Sequence, residues 1–352
     1  MTTNPTSDLR RLNPRIVATV LLVAFVIVVF NALSTGAYTI RLGELIQVLF
    51  QGPAKGAGEA DGNSVAHAVF WNVRLPRVTL AIVVGASLAV AGVVMQGIFR
   101  NPLAEPATVG VSGGAAVGAV IAITLGLSKI TLGVQIFAFI GGTLATAIVY
   151  GLSRVDGKTD IVTLILTGIA INALSGALIG LAVFVADDDQ IRTVTFWSLG
   201  SLGLATWRAV AMVLPLAIIG VALSTKFSRT LDLMSLGDRP AEHVGVPVER
   251  VRLQTIAIIG LLASSAVAAT GIIAFVGLIV PHILRLVLGP KHRDLLWSSA
   301  LLGAIVTLLA DLAARTLLSP AELPLGVLTA LIGAPFFLWL LRKMRTGEST
   351  WS

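Results

Sequence analysis

Long apolar runs separated by short polar connectors dominate the chain. Ten such runs occupy 16–33, 78–98, 108–126, 131–152, 161–186, 209–225, 254–271, 272–288, 296–314 and 324–341. About 20 apolar residues suffice for a helix to cross a hydrocarbon layer of about 30 Å. The pattern therefore predicts an all-α, polytopic membrane bundle of about ten transmembrane helices. Only Gly271 separates the seventh run from the eighth. An even number of crossings places both termini on one side.

Composition narrows the class further. The 352 residues are 56% hydrophobic and 12% charged, with mean hydropathy +0.92. Soluble domains carry about 25% charged residues, so a water-soluble fold is excluded. A formal charge of +7 could suggest nucleic acid, but the cations sit between apolar runs, where they orient a membrane protein. With the N-terminus inside, 17 of the 25 Lys and Arg residues fall in cytoplasmic segments and 8 in external ones. Both termini are therefore expected in the cytoplasm. Arg10, Arg11 and Arg15 before the first run resemble the start of a signal peptide, but the run is long and no clean cleavage site follows, which favours a retained helix. Cysteine is absent, which removes disulfides, thiolate nucleophiles and Cys-based metal sites.

Two connectors are long. External residues 34–77 contain a candidate amphipathic helix, Tyr38 to Gln51, and a Gly/Ala-rich stretch around Gly52 to Gly62. Cytoplasmic residues 227–253 are rich in charge. Pro240 suits the first turn of a short helix there, and Gly245 with Pro247 marks the break to a second.

Candidate chemistry within the spans is sparse. Gly151 to Thr159 looks like a phosphate-binding loop, but the spacing is one residue too long and a membrane helix precedes it instead of a strand. Gly110, Gly114 and Gly118 form a small-residue stripe suited to close helix packing. Thr167, Asn172 and Ser175, with Thr163, Gly168 and Gly176, gather on one side of the fifth helix, where they could line a passage or bond between helices. Asp311 lies inside an apolar run, with Arg315 four residues on and so on the same helical face. A structural ion pair is expected, although a proton-coupled carrier could also use such a carboxylate. The four histidines are scattered without metal-ligand spacing, and no convergent catalytic groups suggest an intramembrane enzyme.

Three passages carry a resemblance: Val73-Arg74-Leu75-Pro76-Arg77, Arg100-Asn101-Pro102-Leu103-Ala104-Glu105-Pro106 running on to Gly110–Ala115, and Phe275 to His282. Ala310 to Arg315, Glu322 to Gly326 and Gly333-Ala334-Pro335 extend it. Together they resemble the permeases of bacterial ATP-driven importers for ferric siderophores, haem and cobalamin. The resemblance implies a non-enzymatic transport subunit of the bacterial inner membrane, working as a dimer with the pathway at its interface. A homodimer is favoured, with two partner ATPase subunits that bind ATP and Mg, and an external substrate-binding protein. No cofactor is expected in this chain.

The resemblance also implies site residues. Arg74, Arg77 and Arg315 would meet the binding protein as exposed cations. Asp238, Arg239, Glu242, Gly245, Val246, Glu249 and Arg250 would couple to the ATPase. Asn101 and Leu103 would form one cytoplasmic gate, and Ile161 with Val162 a second, where the cobalamin permease has small hydroxyl residues. On this reading residues 1–15 form a cytoplasmic tail, 16–345 the permease domain with its coupling loop at 227–253, and 346–352 a second tail. Gly110 to Ala115 looks closer to haem and cobalamin permeases, so haem is preferred to a ferric siderophore as the cargo. Cobalamin import and a secondary carrier are the alternatives.

Overall fold

The computed structural model describes residues 12–36, 38–53, 62–155 and 157–345. The expected tails therefore lie largely or wholly outside the described residues, as does most of the Gly/Ala-rich stretch. Fifteen α-helices follow in order among those described: α1 (Pro14–Ser34), α2 (Leu42–Gln51), α3 (Gly62–Val69), α4 (Leu75–Phe99), α5 (Val111–Thr124), α6 (Gly133–Leu152), α7 (Ile161–Val185), α8 (Asp188–Ser198), α9 (Trp207–Lys226), α10 (Ser228–Met234), α11 (Asp238–His243), α12 (Val248–Thr270), α13 (Val276–Leu288), α14 (His292–Thr316) and α15 (Leu325–Arg345). A small hairpin, β1 (Arg154–Val155) and β2 (Lys158–Thr159), joins α6 to α7.

Eight of the ten predicted spans are helices long and apolar enough to cross a membrane, and the other two, α5 and α13, are shorter apolar helices. At 1.5 Å per residue, the 14 residues of α5 and the 13 of α13 reach about 20 Å, short of a full crossing. The 3₁₀ turn Pro106–Val109 and the non-helical residues 271–275 complete their paths. Irregular backbone survives at such depth only where protein surrounds it. Here Glu105 accepts the backbone N–H of Phe275 at 2.8 Å, the residue that caps α13 in a left-handed conformation, φ +68°. Ser201 N–H donates to the Thr270 carbonyl at 2.7 Å, tying down the end of α12.

α4 is the central column, packed by α9, α12, α13 and α14. Its closest approaches need glycine. A Cβ on Gly92 would sit 1.8 Å from the Gly277 carbonyl of α13, and one on Gly85 2.3 Å from the Gly303 carbonyl of α14. The predicted glycine stripe is confirmed at Gly114 and Gly118, which abut Gly141 and Phe137 of α6. Gly110 differs: it precedes the helix at φ +81°, so its role is in the turn.

α1 belongs to the bundle and packs on α14. Asn13 caps it by accepting Arg15 N–H at 3.0 Å, with Pro14 at its first position. The external amphipathic helix is α2, with Leu45 and Val48 buried and Ile46, Leu49 and Phe50 exposed. The phosphate-loop look-alike folds as the β1–β2 hairpin, turned at Gly157 with φ +79°. The cytoplasmic connector departs from expectation. Its first short helix is α11, but the second is the first turn of α12, because no breaker follows Pro247. A further short helix, α10, precedes them. α8 was not expected either, although its capping box, Asp187 with Gln190 three residues on, is a sequence signal for a helix start.

Glu105→Ala removes the acceptor of a buried N–H, which costs about 1–3 kcal/mol. A clear drop in melting temperature in detergent is expected, largely restored by Glu105→Gln, which keeps an acceptor oxygen. Equal melting of wild type and Glu105→Ala would remove this pin from the account.

Candidate functional site

At one end of the bundle three buried arginines and the buried Asp311 form a cluster with Glu322 at its exposed edge. Arg77, near the start of α4, donates from Nε to Asp311 of α14 at 2.9 Å. Its two terminal nitrogens meet both oxygens of Glu322, in the α14–α15 connector, at 2.9 Å each. This fork-on-fork geometry is the strong form of an Arg–carboxylate contact. Arg315 stands 3.4 Å from the other Asp311 oxygen and donates to the Ala32 carbonyl at 2.6 Å. Arg74 donates to the carbonyls of Leu33 and Ser34 at 2.6 Å each, and also to that of Tyr38. The last carbonyls of α1 thus receive guanidinium donors, as suits the negative end of a helix.

The expected Asp311–Arg315 pair exists, yet Arg77 is the closer partner of Asp311. Asp311 is thus held between two arginines as a structural ion pair. The expectation that Arg74, Arg77 and Arg315 are exposed cations is corrected. All three are buried, at 4%, 7% and 8% relative exposure, because partners on α1, α14 and the α14–α15 connector enclose them. Glu322, the most accessible member, is held below the usual carboxylate range mainly by its bonds from Arg77.

The opposite end carries the charged connector. Arg239, Glu242, Gly245 and Arg250 are exposed, and Val246 is half-buried. Asp238 and Glu249 are partly exposed and bond inward to Arg252. Arg252 is buried and meets Asp238 at 2.8 Å and Glu249 at 2.7 Å. Glu249 also accepts from Thr159, at 2.9 Å from the backbone N–H and 2.7 Å from the hydroxyl. Arg252 closes the expected coupling element, Asp238 to Arg252, whereas Thr159 lay outside that expectation. The sequence reading did not single out Leu236 and Val244, apolar residues 71% and 65% exposed beside α11.

Nearby, Asp232 of α10 accepts from both the backbone N–H and Nδ1 of His292, at 2.8 and 2.7 Å, at the start of α14. Burial pushes the Asp232 carboxyl up, but the His292 bonds outweigh it and hold it low. Among the described residues no group of His, Asp or Glu could hold a metal ion.

The expected gate residues occupy two segments. Asn101 is exposed, and its side chain accepts Leu103 N–H at 2.9 Å, shaping the turn after α4. Ile161 is half-buried and packs against the core, while Val162 is 64% exposed. Asp160 caps α7 by accepting Thr163 N–H at 2.7 Å. Of the fifth-span polar residues, Asn172 donates to the Ala107 carbonyl at 3.2 Å. Both Asn172 and Ser175 fill the space that a Cβ on Gly113 would need, so these two bind helices together. Thr167 is half-buried.

Arg77→Ala leaves Asp311 and Glu322 without their shared partner. Breaking a buried pair costs about 3–5 kcal/mol, so a large fall in melting temperature in detergent is the expected outcome. A variant that melts like wild type would show that the cluster does not hold α4 to α14.

Comparison with known proteins fits this architecture. The model of the FecCD transport family matches residues 22–343. The chain is 40% identical over 347 residues to the hemin transport system permease protein HmuU of Yersinia pestis, covering 96% of this chain and 99% of that one. It is 44% identical over 277 residues to the cobalamin import system permease protein BtuC of Halobacterium salinarum, covering 79% and 74%. Among solved structures, an inward-facing metal-chelate type ABC transporter superposes with TM-score 0.82 at 34% identity, over 94% of this chain and 100% of that one. A bundle of ten apolar helices with irregular joints at α5 and α13, matched over nearly its whole length, belongs to the FecCD transport family and is the permease subunit of an ABC importer.

Proposed function

We propose that the importer carries an iron complex and that haem is its cargo. The observation supporting haem is the match to the hemin permease, which runs through almost the full length of both chains. The cobalamin permease is more similar per residue over a shorter stretch, so cobalamin is the second reading and a ferric siderophore the third. The chain itself performs no bond chemistry, and ATP and Mg belong to the partner ATPase. Two copies of this chain face each other, with both termini in the cytoplasm of a bacterial inner membrane. The face of α7 bearing Val162, Leu166 and Ile169 is left open by its own chain and borders the passage.

The exposed residues Leu236, Arg239, Glu242, Val244 and Arg250 seat on the ATPase. An apolar pair rimmed by charge is the usual make-up of a transient protein interface. The arginine cluster is the outer docking pole. Because Glu322 already fills the Arg77 fork, a carboxylate of the binding protein reaches Arg77 only by replacing Glu322.

The deciding measurement is ATP hydrolysis by the permease–ATPase complex in lipid, with binding protein loaded with haem, cobalamin or a ferric siderophore. Haem-specific stimulation is expected; stimulation by another load alone would replace the cargo and keep the mechanism. Glu322→Gln is expected to tighten docking of the binding protein severalfold, because the competing charge is gone. Unchanged docking in both Glu322→Gln and Arg77→Gln would move the docking site elsewhere.

A further inference from the structure

We propose that Arg252 and Glu249 are positioning residues that hand the movement of α11 to the start of α7, through Thr159. The inference rests on the importer reading, in which an ATPase moves α11, and it adds the route by which that movement reaches the gate.

The route can be followed atom by atom. Asp238 is the first residue of α11, and its carboxylate takes Arg252 Nη2 at 2.8 Å. Arg252, one turn into α12, gives Nη1 to Glu249 at 2.7 Å and to the Thr159 carbonyl at 3.4 Å. The second Glu249 oxygen holds the N–H and hydroxyl of Thr159. Thr159 ends β2, and the next residue, Asp160, caps α7 and donates its own N–H to the Ser153 carbonyl at 3.1 Å. Ile161 and Val162 follow at once. Thr159 is thus gripped on its N–H, hydroxyl and carbonyl, immediately before the gate residues.

Stiffness makes such a grip transmit. The Arg252 side chain is 3% exposed, and its planar fork engages three segments at once. In low-dielectric surroundings charge-assisted bonds of this kind are short and directional. A shift of α11 therefore drags Arg252, then Glu249, then the first turn of α7, instead of dissipating in a loop. The connector between α6 and α7 is a hairpin of two-residue strands, too short to absorb the displacement as slack. Asp238 and Glu249 bind inward for this reason, leaving Arg239, Glu242 and Arg250 to face the ATPase.

The chain contains no cysteine, so single spin labels can be introduced without removing native thiols. Labels at His243 on α11 and at Ala170 on α7, both exposed and outside the ATPase seat and the passage face, report, across the two copies, on the two ends of the route. The full permease–ATPase complex in nanodiscs is compared with and without ATP, alongside uptake and basal hydrolysis. In wild type both label pairs are expected to change distance. In Glu249→Gln and in the milder Thr159→Val, the His243 pair should still move while the Ala170 pair does not. Uptake per ATP hydrolysed should then fall at least about fivefold, the lower end of ordinary coupling between sites. Arg252→Lys, which keeps the charge but loses the fork, should fall between these and wild type. If both pairs still move in the two relay variants, the route is wrong. If basal hydrolysis, uptake and assembly decline together, the residues only hold the fold and the proposal is overturned. If neither pair moves in wild type, the seating of the ATPase on α11 fails, which is a separate outcome.

Discussion

In a hydrocarbon layer a backbone or charged group finds its partner within the protein or pays several kcal/mol. Three features of this chain answer that constraint. The break between α12 and α13 leaves Phe275 N–H without a helical acceptor, and Glu105 supplies one from the segment after α4. The end of α1 leaves carbonyls that Arg74 and Arg315 fill. Asp311, an acid inside an apolar helix, has Arg77 and Arg315 beside it. Each answer joins segments distant in sequence, so the same contacts that satisfy polar groups also fix how the helices assemble around α4.

The hydrophobic pattern made the bundle legible, because about twenty consecutive apolar residues have few other uses. It was less informative about short elements. α5 and α13 read as full spans since apolar runs do not show where a helix begins, only where water is avoided. α8 escaped because its sequence is polar, although Asp187 and Gln190 announced its start. The merger of the second cytoplasmic helix with α12 was hidden by Gly245 and Pro247, which mark a break before Val248 but say nothing of how far the next helix runs.

The candidate sites were legible as residue types and misread in their exposure. Arg74, Arg77 and Arg315 stand in predicted extramembrane segments, which made them look like surface cations. Sequence separation concealed their partners: Glu322 lies 245 positions from Arg77, and no local spacing rule reaches that far. Where partners are close, as for Asp311 with Arg315, the pairing was readable from helical geometry alone. Glu249 and Arg252 were likewise within one turn, but the third member, Thr159, is 90 positions away and turns a local pair into a cross-link.

The two ends of the bundle use the same chemistry for different work. At the arginine cluster, a guanidinium between two carboxylates joins α4 to α14 and the connector beyond it, elements that pack along their length. Motion there would separate surfaces that already touch, so the cluster resists it. At Arg252 the joined pieces are a two-turn helix, the first turn of α12 and a small hairpin, short elements that give the core only a few side chains such as Ala241, Val248 and Val251. The polar contacts cross-link these pieces, and on the proposed route a push on one is passed to the next. α7 receives that push at a helix whose far side its own chain leaves open. A helix packed on every face would resist rotation, whereas one with an open face can turn with modest loss of contact.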